Sequence, residues 1–314
     1  MKVAIVGLGV IGKVHMKVLR EQGIEVGAVC DIDAAKLAEY PSCQQFVNYT
    51  EMIEQYAPDV VHICTPHYLH AAMVIAALNR NIHVLCEKPL CVNFSEMQDV
   101  LRAEENSLAT LGVCHQNRYK PENMYVKEFL KTSRALCGYA TVAWQRDAEY
   151  YAQAAWRGTI EQECGGVLIN QALHTLDLLI WYLGEPKKVQ AQTANFSLKN
   201  IIQVEDTLHL VASEGADFVF FATNAAKNSF PVFLSLSTDN GVLTILSNKV
   251  LLNDKECTFE KQDAFYGKWC YGSGHKALIR DFYHCITNGE RFAIDGKEAS
   301  KVLRVIFAAY GQKV

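Results

Sequence analysis

Three groups of residues in this chain have the type and spacing to do chemistry. The first is Gly7-Leu8-Gly9-Val10-Ile11-Gly12, which follows the apolar run Val3 to Val6 and precedes Lys13 to Gln22, where Val14, Val18 and Leu19 recur with Val10 at helical spacing. Strand, glycine turn and helix is the context in which three such glycines hold a dinucleotide. The first permits a tight turn, the second lets the backbone approach a pyrophosphate, and the third lets helix and strand pack closely; the helix N-terminus meets the negative charge. Asp31 closes a second strand predicted over Glu25 to Cys30. A carboxylate there accepts hydrogen bonds from an adenosine ribose and repels a 2′-phosphate, which favours NAD. Lys36, close in sequence, keeps NADP open. A glycine-rich turn with no ligand is the plain alternative.

The second group is Lys88, between an apolar run and Pro89, and the third is Asn170, His174 and Asp177. With a nicotinamide nearby, hydride transfer needs a group that exchanges the hydroxyl proton and a positive or donor group that steadies the developing alkoxide. Lys88 suits that setting, although solubility is a competing reason for a lysine. Positions i, i+4 and i+7 share one face of a helix, with Leu176, Leu178, Leu179 and Ile180 on the buried side. Histidine is the side chain whose ordinary pKa suits proton exchange at neutral pH; a satisfied structural histidine is the other reading.

The elements that must position these groups follow from periodicity. After Asp31 the pattern predicts a helix over Ala34 to Tyr40, a strand over Gln45 to Val47, and a helix over Glu51 to Tyr56 capped by Thr50. A strand over Val60 to Cys64, a helix over Tyr68 to Asn79 and a strand over Ile82 to Cys86 come next. A helix over Glu96 to Asn106 capped by Ser95 and a strand over Leu111 to Cys114 complete the alternation. Strands alternating with helices mean a doubly wound parallel sheet, with ligands beyond the carboxyl ends of the strands. Beyond Pro121 the pattern changes. Helices are predicted over Pro121 to Lys131 and Leu173 to Leu183, and a strand over Ala140 to Trp144; Arg146 to Glu163 has no clear period. Strands without intervening helices then run over Lys188 to Ala194, Thr207 to Ser213, Phe218 to Thr223, Val232 to Thr238 and Val242 to Leu246, before helices over His275 to Asn288 and Lys297 to Tyr310. The fold class is therefore α/β: an N-terminal doubly wound parallel sheet of the Rossmann kind over residues 1–119, and an α+β domain with a largely antiparallel, open-faced sheet over 120–314.

Half of the 314 residues are hydrophobic, a fifth are charged and the net charge is −4. That composition suits a globular protein with a full core and implies no nucleic-acid surface. Gly7, Gly9 and Gly12 interrupt the apolar start, so no signal peptide or membrane span is expected. The eleven cysteines are odd in number, and Cys30, Cys64, Cys86 and Cys114 fall at the ends of predicted buried strands. Reduced thiols in a cytoplasmic protein are expected, with no disulfide framework and no metal site.

At these residues the sequence resembles the Gfo/Idh/MocA family of nicotinamide-dependent oxidoreductases. The resemblance runs over essentially the whole chain and rests on Gly7 to Gly12, Thr65-Pro66-His67-Tyr68-Leu69-His70, Glu87-Lys88-Pro89, Asn117-Arg118-Tyr119, Trp156-Arg157-Gly158 and Gly165-Gly166 through His174-Thr175-Leu176-Asp177. It implies that Lys88 and His174 are catalytic, with Lys88 beside nicotinamide and substrate hydroxyl and His174 exchanging the proton. It implies cofactor contacts at Gly7, Leu8, Gly9, Val10, Ile11, Gly12, Asp31, Ile32, Cys64, Thr65, Pro66, His70, Glu87 and Lys88, and substrate contacts at Asn117, Tyr119, Trp156, Arg157 and Asn170. Two positions depart from the family pattern. Many members carry a carboxylate four residues before the catalytic histidine, where this chain has Asn170, which can neither hold a charge nor relay a proton. The first of three usual glycines is Cys164.

The expected activity is hydride transfer between NAD, with NADP possible, and a secondary alcohol or ketone of a sugar, cyclitol or sugar derivative. The polar residues Asn117, Tyr119, Arg157, Asn170 and Gln171 suit a polyhydroxylated ligand. Two alternatives are a redox-neutral enzyme that oxidises a sugar transiently before elimination or epimerisation, and a non-enzymatic NAD-binding regulator. Phe218, Phe220, Phe233 and Leu234 are expected on an uncovered sheet face that meets a second subunit, giving a homodimer or homotetramer.

Overall fold

The computed structural model describes residues 1–260 and 273–312, in two compact units. The first holds residues 1–119 and the described part of 263–300; the second holds the described residues between 120 and 262 and those from Lys301 onward.

In the first unit the chain runs β1 (Val3–Val6), α1 (Val10–Glu21), β2 (Val26–Cys30), α2 (Ala34–Leu37), β3 (Gln44–Phe46), α3 (Tyr49–Glu51), β4 (Val60–Ile63), α4 (His70–Leu78), β5 (His83–Cys86), α5 (Phe94–Glu105) and β6 (Leu111–Val113). All six strands are parallel, in the order β3-β2-β1-β4-β5-β6. The chain reverses its direction of travel between β1 and β4, and such a reversal opens a crevice beyond the strand ends. β1 and β4 are buried along their whole length, as strands of a sheet covered on both faces are, with His62 the polar residue in β4.

The two expected helix caps are corrected. Thr50 and Ser95 lie inside their helices, and Asn48 and Asn93 are the caps, accepting the Glu51 N–H at 3.2 Å and the Glu96 N–H at 2.9 Å. Glu96 reaches back to the Val92 N–H at 3.1 Å. An asparagine three residues before a glutamate satisfies two orphan donors at once, which a cap one or two residues later cannot do.

The second unit begins with α6 (Pro121–Phe129), β7 (Ala135–Ala143), α7 (Ala148–Ala152) and α8 (Leu173–Leu183). It continues through β8 (Lys188–Ala194), β9 (Thr207–Ser213), β10 (Phe218–Thr223), β11 (Phe233–Thr238), β12 (Gly241–Leu246), β13 (Lys249–Leu252) and β14 (Lys255–Glu256). These eight strands form one sheet in the order β14-β13-β12-β11-β7-β10-β9-β8, antiparallel except where β10 lies parallel to β7. Strands β13 and β14, absent from the sequence reading, close on Asn253-Asp254, both at positive φ. That is the backbone a two-residue hairpin needs and asparagine and aspartate tolerate.

The sheet faces are also corrected. Phe218, Phe220 and Leu234 point into the core, and Phe233 is half-buried. Leu136, Tyr139, Val211, Val219, Phe221, Val242 and Leu246 are large apolar residues of this sheet left exposed. Phe218 to Phe221 is apolar at every position, so alternation could not say which parity faces in.

α9 (Gly274–Asn288) and the first residues of α10 (Gly296–Ala309) belong with the parallel sheet, whereas the sequence reading assigned everything after 119 to the second domain. The reason is packing. Val113 donates its N–H to Ile294 O at 2.9 Å, and β6 carries Gly112 where any Cβ would strike Phe282 and Phe292. No helix among the described residues is long and apolar enough to cross a membrane.

Candidate functional site

The glycine turn sits at the carboxyl end of β1. Gly7 has φ +86°, and a Cβ on it would meet Cys64 O at 2.5 Å; a Cβ on Gly12 would lie 2.0 Å from Gly7 O. A Cβ on Gly9 would meet nothing within 4 Å. Gly9 is also the N-cap of α1, whose first turn carries no acidic residue. A helix N-terminus with a glycine cap and open space above it fits a dinucleotide pyrophosphate. Beside it, Asp31 Oδ2 accepts the Leu8 N–H at 2.8 Å and Oδ1 accepts the Asp33 N–H at 2.9 Å. Lys36 Nζ approaches the same carboxylate at 3.4 Å. Two apolar side chains here are left in solvent, Val10 and Ile32, the latter 91 % exposed.

The next strand ends line the same edge of the sheet. Cys64 is buried, with its thiol pushed well up by burial, and Thr65 and Pro66 are half-buried. His70 is fully buried, with Nδ1 2.7 Å from Pro89 O and Nε2 2.8 Å from Thr65 O. Glu87 is buried after β5, and half-buried Lys88 follows it, joined to Pro89 by a cis peptide. Asn117 is half-buried. The Tyr119 hydroxyl donates to Asp281, and burial and that carboxylate push the phenol upward. Glycine turn, Asp31, Thr65 and Lys88 are thus brought to one edge of one sheet.

In the second unit, Asn170 lies in a π-helical turn, Leu168–Ala172, that runs into α8. Asn170 and His174 are half-buried, and Asp177 is fully buried. The wider turn changes the phase between Asn170 and the rest of the helix. Cys164 has φ +59°, a conformation glycine adopts without strain and a β-carbon makes costly. That explains why glycine is usual there. Trp156 and Arg157 are half-buried. The Arg157 guanidinium lies 4.4 Å from the centre of the Tyr150 ring and that of Arg146 lies 4.8 Å from it.

Residues 1–115 match a family model described as the oxidoreductase family, NAD-binding Rossmann fold, and residues 136–260 match the GFO/IDH/MocA C-terminal domain. The chain belongs to the GFO/IDH/MocA family. Inositol 2-dehydrogenase of Salmonella typhimurium is 30% identical over 196 residues, which are 60% of this chain and 56% of that relative. The match thus spans about half the relative's length. The 4-carboxy-2-hydroxymuconate-6-semialdehyde dehydrogenase of Sphingobium sp. is 22% identical over 250 residues, 77% of this chain and 78% of the other. Among solved structures, the WlbA dehydrogenase from Chromobacterium violaceum, in complex with NADH and UDP-GlcNAcA, is 27% identical with a TM-score of 0.85. The likeness covers 99% of this chain and 92% of that one.

Within this GFO/IDH/MocA chain the structure adds residues that motif reading passed over. Glu163 is buried, and its carboxylate accepts from the Asn170 side-chain amide and the Gly158 N–H. Burial pushes it up to about 7, against the two hydrogen bonds and Arg157, so a carboxyl that titrates near neutrality stands beside the asparagine that replaced one. It ends the stretch without a clear period, where no pattern marked it. His15 and His275 flank Glu87; their only signal was a histidine inside an apolar helical stripe.

Proposed function

We propose that this protein is an NAD-dependent dehydrogenase acting on a secondary alcohol, or the matching ketone, of a sugar, cyclitol or sugar derivative. The observation that supports it most is one edge of one parallel sheet carrying both the glycine turn and Lys88. When bound, the nicotinamide accepts or gives the hydride. Leu8, Val10 and Ile11 border the pyrophosphate, and Asp31 accepts from the ribose hydroxyls. Ile32 offers an apolar surface to the adenine, while Cys64, Thr65, Pro66, His70 and Glu87 line the nicotinamide end. The Lys88 ammonium steadies charge on the substrate oxygen, and His174 exchanges its proton. Asn117, Trp156, Arg157, Asn170 and the lone pairs of Tyr119 contact the substrate hydroxyls.

The fold relative at 27% identity is one solved with a sugar nucleotide, and the curated relatives include inositol dehydrogenases. Arg146 and Arg157 flank one aromatic ring, and two guanidinium groups so placed suit substrates carrying a carboxylate or phosphate. The exposed apolar sheet face suits a second copy of the chain.

The test is NADH fluorescence of the pure protein, before and after adding NAD and then against inositols, aldoses, uronic acids and a UDP-linked uronic acid. Accumulating NADH with one class supports the reading and identifies that class. Cofactor retained from purification without net NADH, together with an eliminated or epimerised product, replaces it with the redox-neutral one. No nucleotide binding at all removes it.

A further inference from the structure

Lys88 is a flexible side chain, and a lysine can steady an alkoxide only if its backbone holds the ammonium in one place. The two sides of the Lys88–Pro89 turn are tied to buried histidines. On one side, Glu87 Oε2 accepts the Lys88 N–H at 3.2 Å, while Glu87 Oε1 lies 3.1 Å from His15 Nε2 and 3.5 Å from His275 Nε2. On the other, His70 spans from Pro89 O at 2.7 Å to Thr65 O at 2.8 Å. All three histidines are fully buried. The turn is bracketed by α1, α4 and α9, which carry His15, His70 and His275.

The chemistry of the donors decides how the bracket works. Burial alone would raise Glu87, but His15 and His275 hold its carboxyl well below the usual range, so it is an ionised acceptor with no proton to give. Its Oε1 therefore needs a donor, and His15 Nε2 must carry its hydrogen. The other His15 nitrogen meets His62 Nδ1 at 2.8 Å, and His62 Nε2 meets the Tyr283 hydroxyl at 3.0 Å. With its hydrogen on Nε2, a neutral His15 accepts at Nδ1, so the protons run from the Tyr283 hydroxyl to His62 Nε2 and from His62 Nδ1 to His15. The His15 ring is thereby locked, and through it the carboxylate that holds the Lys88 amide. Burial strengthens each of these bonds by keeping them in a low-dielectric interior.

We propose that His15, His275 and His70 are positioning residues that fix the backbone of Lys88. His15 and His275 act through Glu87, and His70 acts from its place between Pro89 O and Thr65 O, where its neutral ring donates to one carbonyl at a time. This rests on the catalytic reading of Lys88 and deepens it.

The test has a readout that needs neither cofactor nor substrate: hydrogen exchange at the Lys88 amide, resolved at single residues. His15→Leu and His70→Leu, which cannot bridge, are compared with His15→Gln and His70→Gln, which keep a donor. Because a leucine in a buried polar cluster can unfold the chain, His275→Gln serves as a milder third variant, and amides of β1 report global stability. The expected result is Lys88 exchange at least tenfold faster in the leucine variants, restored toward the native rate by glutamine, with β1 exchange unchanged. In the His15 variants NADH affinity should stay within about threefold while hydride transfer in His15→Leu falls about tenfold at saturating substrate, and that loss should vanish in a Lys88→Ala background. Equal protection of the Lys88 amide in every variant overturns the bracket while leaving Lys88 catalytic. Full turnover by Lys88→Ala overturns the catalytic reading and, with it, the function of the bracket. The ligand-type atoms of His15, Glu87 and His275 all lie within 4.8 Å of one another. Stoichiometric metal in the purified protein, lost in His15→Gln, overturns the proposal by making Glu87 a ligand.

Discussion

The Leu8 N–H donates to Asp31 Oδ2 at 2.8 Å, so the glycine turn and the acid that follows the second strand are one hydrogen-bonded unit. Asp31→Ser keeps an acceptor near Leu8 and removes the charge. A charged hydrogen bond to a ribose is worth about 1.5–3 kcal/mol. NADH affinity should fall tenfold or more, and the preference over NADPH should shrink because Lys36, 3.4 Å from Asp31, loses its counter-charge. Fluorescence titration with both nucleotides reads this; unchanged NADH binding would place the ribose elsewhere.

Two glycines separate folding from binding. Gly12→Ala puts a Cβ 2.0 Å from Gly7 O and should cost about 3 kcal/mol through overpacking. Gly9→Ala meets nothing within 4 Å, so its Tm should stay within a few degrees of the native chain while NADH binding weakens at least tenfold. A Gly9→Ala variant that binds normally would mean that the pyrophosphate does not lie over this turn.

Lys88→Ala and His174→Ala should each lower hydride transfer about a hundredfold, the scale of acid–base and charge-stabilising groups, with NADH binding nearly intact. Single-turnover measurements with the substrate found by the panel check it. A variant with native turnover removes the role assigned to that residue alone.

Glu163 makes a pH prediction with a definite sign. Burial raises it from an ordinary 4.5 to about 7, so between those values the folded chain binds the proton more readily than the unfolded one. Stability from this group is full below pH 4.5 and is lost as pH rises through about 7. The upper bound on that loss is ~3 kcal/mol. Glu104 and Glu205 are also raised by burial, so the difference between native and Glu163→Gln proteins isolates Glu163. That difference in chemical denaturation should favour the variant increasingly from pH 5 to pH 8; a flat difference contradicts a buried carboxyl.

For the exposed sheet face, Phe221→Lys should leave circular dichroism unchanged and convert an oligomer to monomer in sedimentation. Phe221 is 39 % exposed and lies opposite His209 and Thr141, so the charge reaches solvent without entering the core. A native protein that is already monomeric at micromolar concentration ends the idea.

Local patterns carried much of this molecule. The three glycines and the apolar strands make their own case, because a strand covered on both faces is mostly apolar and a tight turn at φ +86° favours glycine. The bounds of β8, β9 and β10 are those the alternation predicts. Where the reading missed, two local signals competed. Thr50 and Ser95 are good caps by type, but Asn48 and Asn93 each sit three residues before the N–H they accept, and at Asn93 the glutamate reaches back as well. In Phe218 to Phe221 both parities are apolar, and only the packed sheet shows that Val219 and Phe221 face outward.

What the residues by themselves determined is the class of fold, the glycine turn with Asp31 and the identity of Lys88 and His174 as candidates, since each depends on neighbours close along the chain. Tertiary structure decided the rest. Glu163 meets Asn170 through a π turn that no spacing rule anticipates, and α9 returns across more than 150 residues of sequence to place His275 beside Glu87. A buried carboxylate needs partners wherever the chain can supply them, and that demand is satisfied in space, so its partners leave no period in the sequence.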